Sequence, residues 1–196
     1  IRGTTHRDVM GWVNSLDHMR SFNPEFLFPS HTKPLSGDQV MDALTIYRDA
    51  IQFVHDQTIR LMNEGYYPDQ IVEMIDLPKE IKESPFLYEF YGTVRWSVKS
   101  IFSGYLGWFN GNPSDLDPLS RVEEAIRFSN MVGGNENMLV GLQQAIQAQD
   151  MQWALELSDR LIALEYSLDE VNSLRQDALI YIGERSSNPN KRNYFL

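Results

Sequence analysis

Four histidines carry most of the chemistry that this sequence offers, and they all lie in its first third. His31 lies in a proline-flanked loop directly after the apolar run Phe26–Phe28. Because loops that follow buried strands often carry functional residues, His31 is the leading candidate for a metal ligand. The alternative is an ordinary histidine that braces its loop. His55, followed by Asp56 in a long helical pattern, predicts a packing pair or a hydrogen-bonded pair.

A second candidate site lies at the start of a predicted helix, where Thr93 precedes two basic residues. Thr93 is a favourable N-cap residue, and the free N–H groups at a helix start attract anions. Arg95 and Lys99 lie one turn apart on one face, so they would suit a sulfate, a phosphate or a carboxylate. The alternative is a solvated helix face on which these cations pair with Glu83 or Glu89.

The segment 101–109 is unusually dense in aromatic and aliphatic side chains. Such a segment could line a pocket for an alkyl chain. It is also typical of a hydrophobic core or of a helix interface between subunits. Residue types and spacing leave these three interpretations open.

Composition excludes several classes of function. The chain has 196 residues, 42% of them hydrophobic, and a formal net charge of −10, which is typical of a folded globular protein. The negative charge argues against non-specific nucleic-acid binding. There is no Cys, which excludes disulfides and thiolate metal sites, and no Gly-x-Ser-x-Gly or phosphate-binding glycine loop. No stretch approaches the length of a membrane span.

The first part of the chain predicts the end of an α/β unit. Residues 8–21 carry apolar side chains at helical spacing, residues 26–28 predict a short buried strand, and a loop follows. One strand cannot satisfy its own hydrogen-bonding groups, so residues 1–36 would be the remnant of a larger sheet-containing domain. The rest of the chain predicts a second, all-helical domain over residues 37–196.

Helical periodicity and capping residues divide the second domain into successive helices with short linkers, which favours antiparallel neighbours. A weak internal repeat near the C-terminus resembles tetratricopeptide hairpins, and a plain helical bundle is the alternative. The predicted helices cover residues 36–64, 69–75, 80–90 in part, 93–109, 119–130, 135–148, 151–164 and 168–183.

Several longer segments are distinctive. They are Ile1–Gly3 with Arg7–Asp8, Pro29–Pro34, His55–Tyr66, Tyr91–Val94 and Gly104–Pro113. Together they resemble the alkylsulfatase branch of the metallo-β-lactamase superfamily, and the last segment is similar to the most distinctive signature of that branch. The resemblance covers nearly the whole chain.

The resemblance implies that the chain is a segment of a larger enzyme. Family members have a metallo-β-lactamase domain with two zinc ions, then a helical dimerisation domain, then a domain similar to sterol-carrier proteins. Residues 1–36 would end the first domain, and residues 37–196 would form the second. The implied reaction is hydrolysis of sulfate esters of long-chain alcohols by zinc-activated water, in a homodimer.

The resemblance also implies roles for four residues. His31 matches the late metal-ligand histidine of the family, and Arg2 matches an arginine near the sulfate site. Tyr91 matches the part that closes over the substrate, and Lys99 falls where the family often has a basic residue. The early His-x-His-x-Asp-His motif is absent from this sequence, so the chain would hold an incomplete zinc site and would be inactive alone.

The competing interpretation is a non-catalytic helical module for protein interaction or dimerisation, which has kept only this part of the ancestor. Both interpretations predict a homodimer and neither involves nucleic acid. The sequence does not indicate a compartment.

Overall fold

The computed structural model describes residues 6–196, and this part of the chain is mainly α-helical, as predicted. Its strands form one two-stranded antiparallel hairpin. The elements of the described chain are α1 (Val9–Ser21), β1 (Phe26–Leu27), β2 (Leu35–Ser36), α2 (Asp38–Asn63), α3 (Pro68–Met74), α4 (Lys79–Lys82), α5 (Val94–Leu106), a 3-10 turn (Pro113–Asp115), α6 (Arg121–Val132), α7 (Asn135–Gln147), α8 (Met151–Ala163), α9 (Leu168–Arg185) and α10 (Pro189–Phe195).

The chain divides into two compact units. The first unit ends at Leu116, and the second runs from Asp117 to Leu196. Helices α1 to α5 and the hairpin belong to the first unit, and α6 to α10 form the second. Packing does not break between residues 36 and 37, because α1 and the hairpin both contact α2. The predicted boundary there concerns two ancestral domains and stays a prediction.

The β-hairpin is short and only partly buried. Leu27 lies opposite Leu35, and both pack against the core between α1 and α2. Because side chains alternate along a strand, Phe26 points away from that core and is 56% exposed. Phe28 follows the strand and is 75% exposed. The prediction of a buried strand over this run is therefore wrong for its two phenylalanines.

An ion pair joins α1 to α2 beside the apolar contact between the two helices. The Asp17 carboxylate accepts hydrogen bonds from Arg20 Nη1 at 2.7 Å and from Arg48 Nε at 3.2 Å. Burial acts to raise the pKa of Asp17, but the hydrogen bonds from Arg20 and Arg48 outweigh it and hold that pKa below its ordinary value. Folding therefore favours the charged form of Asp17.

Asp17→Asn should remove a pH-dependent part of the stability. Because the folded-state pKa is lowered, the contribution of Asp17 is complete above the ordinary aspartate pKa of about 3.9 and is lost as the pH falls through the folded-state value. The free energies of unfolding of wild type and variant, measured with urea, should differ at neutral pH and become equal in acid. Asp42→Asn, an exposed position on α2, is the matched control and should follow wild type. A difference between Asp17→Asn and wild type that stays constant with pH would contradict the assignment.

Helices α2, α3 and α5 enclose the second core of the first unit. Leu61, Ile71 and Val98 come from these three helices, and each is at most 1% exposed. Phe102 fills the same core from the next turn of α5. The apolar residues of α5 recur at spacings of three and four, so one face of the helix is buried and the other is left to the surface.

Local signals set the two ends of α5. Thr93 Oγ1 accepts a hydrogen bond from the N–H of Trp96 at 3.1 Å, so the predicted N-cap is confirmed. The helix ends at Leu106 instead of continuing to residue 109 as predicted. Gly107 has a φ of +84°, a conformation that glycine adopts without strain and that does not continue a helix.

The second unit consists of consecutive helices that pack on one another, with α8 in contact with α6, α7 and α9. Ser120 and Glu123 form a capping box at the start of α6. Arg175 on α9 reaches α8, where it donates to Ser158 Oγ at 2.6 Å and pairs with Asp159 at 2.7 Å. The fully or nearly fully buried core of this unit comprises Met138, Leu139, Leu142, Ala145, Met151, Ala154, Leu155, Leu157, Leu161, Val171 and Ala178.

Candidate functional site

Two of the predicted site residues lie together although they are far apart in the sequence. His31 lies in the loop between β1 and β2, and Tyr91 lies in the segment before α5. Their ring centroids are 5.3 Å apart with the planes tilted by 45°. Both residues are exposed, so the two rings form an aromatic and imidazole surface that a ligand can reach. The metal-binding role of His31 and the substrate role of Tyr91 stay predictions.

The cations on α5 pair with acidic residues of α3. Lys99 Nζ lies 2.6 Å from Asp69 Oδ1, and Arg95 forms an ion pair with Glu73. The alternative that these cations form ion pairs on the helix face is therefore correct. Their partners are Asp69 and Glu73 of α3 and not Glu83 or Glu89. The Lys99 side chain is 50% exposed, so its amine remains reachable from solvent. Contact between Lys99 and a substrate stays a prediction.

A carboxylate of this protein already accepts a hydrogen bond at the start of α5. Glu89 Oε1 accepts a hydrogen bond from the N–H of Val94 at 2.7 Å. An external anion would therefore have to displace or avoid a carboxylate that already lies at this helix start. The predicted anion site gains no support from the geometry of the helix start.

The dense apolar segment predicted at residues 101–109 has two different environments. Ile101 and Phe102 are 3% and 4% exposed and belong to the core. Tyr105, Leu106 and Trp108 are 52%, 59% and 75% exposed. The core interpretation is therefore correct for the beginning of the segment. Its end presents an apolar and aromatic surface, which is available to an alkyl chain or to a second subunit.

His55 is a buried histidine with both ring nitrogens engaged. It is 8% exposed, its Nδ1 lies 2.8 Å from Asp56 Oδ1, and its Nε2 lies 2.9 Å from Tyr105 Oη. The predicted hydrogen-bonded pair with Asp56 is confirmed. The bond to Tyr105 was not predicted, because its two partners lie on α2 and α5 and no local pattern joins them.

His6 completes this cluster from the segment that precedes α1. Its ring lies edge-on to Tyr105 with the centroids 6.4 Å apart. A Cβ placed on Gly104 would lie 2.2 to 2.4 Å from three atoms of the His6 ring, so only glycine permits this approach. A glycine inside a predicted helix was the one sequence signal that could have indicated the contact.

The described residues contain no cluster of three or more His, Asp or Glu side chains that could hold a metal ion. His31 would therefore act as a single ligand within residues 6–196. Arg2, the predicted sulfate contact, lies outside the described residues. Among the helices of the described chain, none is long and apolar enough to cross a membrane.

Gly104→Ala should displace His6 while leaving α5 intact. The new methyl group would overlap the His6 ring, whereas alanine itself favours helix by about 1 kcal/mol over glycine. Gly141→Ala in α7 is the matched control, because its Cβ would meet Leu157 at an ordinary 3.6 Å. The thermal unfolding midpoint should rise for Gly141→Ala. For Gly104→Ala it should rise less, or fall. Unchanged NMR signals of the His6 ring in Gly104→Ala would show that His6 does not lie on Gly104.

The fold and the candidate site together define a class of protein: a mainly helical module with an exposed aromatic surface and with His31 in the loop of its one described hairpin. The family model for alkyl sulfatase dimerisation matches residues 67–196. This chain belongs to that family.

Relatives and solved structures agree with this membership. A linear primary-alkylsulfatase of Pseudomonas sp. (strain ATCC 19151) is 41% identical over 198 aligned positions, which cover 100% of this chain. The alkyl/aryl-sulfatase BDS1 of Saccharomyces cerevisiae is 28% identical over the whole chain. The solved structure of the stereoselective inverting sec-alkylsulfatase Pisa1 from Pseudomonas sp. covers 99% of this chain with a TM-score of 0.90 and 28% identity.

The chain spans only part of the length of these relatives. It covers 38% of the Pseudomonas primary-alkylsulfatase, 31% of the yeast protein and 31% of the Pisa1 chain. The similarity to Pisa1 includes the hairpin and α1 as well as the helices that the family model matches. The mainly helical fold and the membership in the dimerisation family are thus supported by independent comparisons.

Proposed function

We propose that this chain is the dimerisation and substrate-covering part of a zinc-dependent alkylsulfatase, which hydrolyses sulfate esters of long-chain alcohols. The observation that carries the proposal is the 41% identity, along the whole chain, to a linear primary-alkylsulfatase. Residues 1–36 would be the end of the catalytic domain, and residues 37–196 would be the dimerisation domain. The all-helical structure after residue 37 supports this division.

The surface at the end of α5 supports a role in holding the alkyl chain. Leu106 and Trp108 are more than half exposed, and so are the two rings of Tyr91 and Tyr105. Exposed apolar side chains of this kind are costly to leave in water and are typical of binding surfaces. An alkyl chain or the partner subunit would cover them, and covering them would favour binding through the hydrophobic effect.

The polar end of the substrate would be bound by groups of three kinds. His31 would supply one imidazole ligand to zinc, and its exposed position in a loop fits that role. Arg2 would contact the sulfate, and Lys99 would contribute a further positive charge if substrate competes with Asp69. Zinc, when bound, supplies an activated water for attack on the ester. The remaining ligands would have to come from outside the described residues.

Self-association is the second part of the proposal. The family description names dimerisation, and the second unit exposes apolar side chains that a second copy could cover. We infer a homodimer, in which each copy contributes its helical domain.

The decisive experiment measures hydrolysis of dodecyl sulfate and zinc content in the full-length polypeptide. His31→Ala should lower turnover by about 100-fold or more, because a zinc ligand is lost, and should leave the sedimentation mass of a dimer unchanged. His18→Ala, an exposed histidine on α1, is the matched control and should retain both zinc and activity.

Two results would contradict the proposal. Equal activity of His31→Ala and wild type would remove His31 from the zinc site. A wild-type polypeptide that dimerises but neither binds zinc nor hydrolyses alkyl sulfates would favour the non-catalytic helical module.

Lys99→Met tests the role of the α5 cation in the same assay. If Lys99 contributes to sulfate binding, its loss should raise KM by roughly tenfold, the effect of about one charge-assisted hydrogen bond, with a smaller change in kcat. Lys79→Met removes a more exposed lysine, whose Nζ lies 3.9 Å from Glu83, and should leave KM unchanged. Equal KM values for the two variants would show that Lys99 only pairs with Asp69.

A further inference from the structure

While His55 is neutral, only one hydrogen-bond direction satisfies the Asp56–His55–Tyr105 chain. An ionised carboxylate can only accept, so neutral His55 must carry its proton on Nδ1 to satisfy the 2.8 Å contact with Asp56. His55 Nε2 is then an acceptor, and the Tyr105 hydroxyl must donate to it across 2.9 Å. Asp56 thus determines, through the imidazole, which way the Tyr105 proton points.

This direction changes what Tyr105 offers to a ligand. A phenolic hydroxyl has one proton, and here that proton is used internally. Tyr105 is half exposed as a residue. A phenolic oxygen that donates its one proton still has lone pairs that can accept a hydrogen bond from a ligand. A sulfate has no proton to donate at neutral pH and gains nothing from such an oxygen. A hydroxyl group does, because it can donate.

The neighbourhood of Tyr105 favours an aliphatic ligand. Leu106 and Trp108 follow it in the chain and are the more exposed side chains of the segment. The ring of His6 also lies edge-on to the Tyr105 ring and close to Gly104. A hydroxyl acceptor beside apolar surface matches an amphiphile with a terminal hydroxyl group.

We propose that Asp56 and His55 are positioning residues that hold Tyr105 as a hydrogen-bond acceptor for the hydroxyl group of an aliphatic alcohol. The proposal rests on the proposed function, because hydrolysis of an alkyl sulfate releases such an alcohol, and it names the side chain that recognises the product. It makes Tyr105 a binding residue, whereas Asp56 and His55 act through it.

The first test measures the tautomer of His55 in this chain by ¹⁵N NMR at alkaline pH, where imidazoles are neutral. Wild type should carry the proton on Nδ1. Asp56→Asn should shift His55 toward the Nε2–H tautomer, because an amide can donate to Nδ1. Asp42→Asn on the same helix is the control and should leave the tautomer unchanged. An Nε2–H tautomer in wild type, or identical spectra for wild type and Asp56→Asn, would overturn the positioning role.

The second test is a titration of the same chain with hexan-1-ol, followed through the ring signals of His55. Wild type should bind the alcohol, and Tyr105→Phe should weaken binding about fivefold to tenfold, the effect of one hydrogen bond. Tyr194→Phe, an exposed tyrosine on α10, should bind like wild type. Methyl pentyl ether, which has the same chain length but no donor, should bind wild type as weakly as hexan-1-ol binds Tyr105→Phe.

The outcomes separate this proposal from the proposed function, because neither test requires turnover. Absence of alcohol binding, or equal binding of alcohol and ether, would overturn the role of Tyr105 even in an active alkylsulfatase. Confirmed alcohol binding, together with a full-length polypeptide that does not hydrolyse dodecyl sulfate, would preserve the alcohol site and refute the enzyme assignment.

Discussion

The first unit depends on the packing of one long helix. α2 has 26 residues and contributes to two separate cores, with Leu44 facing α1 and Leu61 facing α3 and α5. His55 lies between these positions in the sequence, and its buried ring would cost free energy without hydrogen-bond partners. Asp56 and Tyr105 satisfy both of its nitrogens. A rotation of α2 would therefore disturb two apolar cores and a polar pair at the same time.

The buried contacts of helix α5 position the exposed side chains of the candidate site. Val98 and Phe102 hold one face of α5 in the core, which fixes the direction of the opposite face. Tyr105 follows Phe102 by one turn on the same face of α5, where its hydroxyl is bonded to His55 of α2, and Gly104 leaves room for His6. The exposed side chains at the end of α5 are thus positioned by the buried face of the helix and, for Tyr105, by its hydrogen bond to His55.

The sequence could predict the helices, because helical periodicity, N-caps such as Thr93 and terminal glycines are local signals. It could not predict partners that depend on how helices are arranged. The acids that pair with the α5 cations lie on α3, and Asp69 precedes Lys99 by 30 positions in the sequence. His31 and Tyr91 were singled out by resemblance, but their proximity required the fold. The sequence could therefore identify candidate residues, and the structure was needed to show which of them are in contact.

Electrostatics divide the recognition of an alkyl sulfate between two parts of the proposed enzyme. The chain carries a net charge of −10, and the α5 cations are offset by Asp69, by Glu73 and by Glu89 at the helix start. Helix α5 therefore provides little uncompensated positive charge for a sulfate. Its C-terminal end does provide exposed apolar side chains and a hydroxyl acceptor. Under the proposed function, zinc and Arg2 would bind the anion, and α5 would bind the alcohol portion, so each end of the substrate would meet the surface that matches its chemistry.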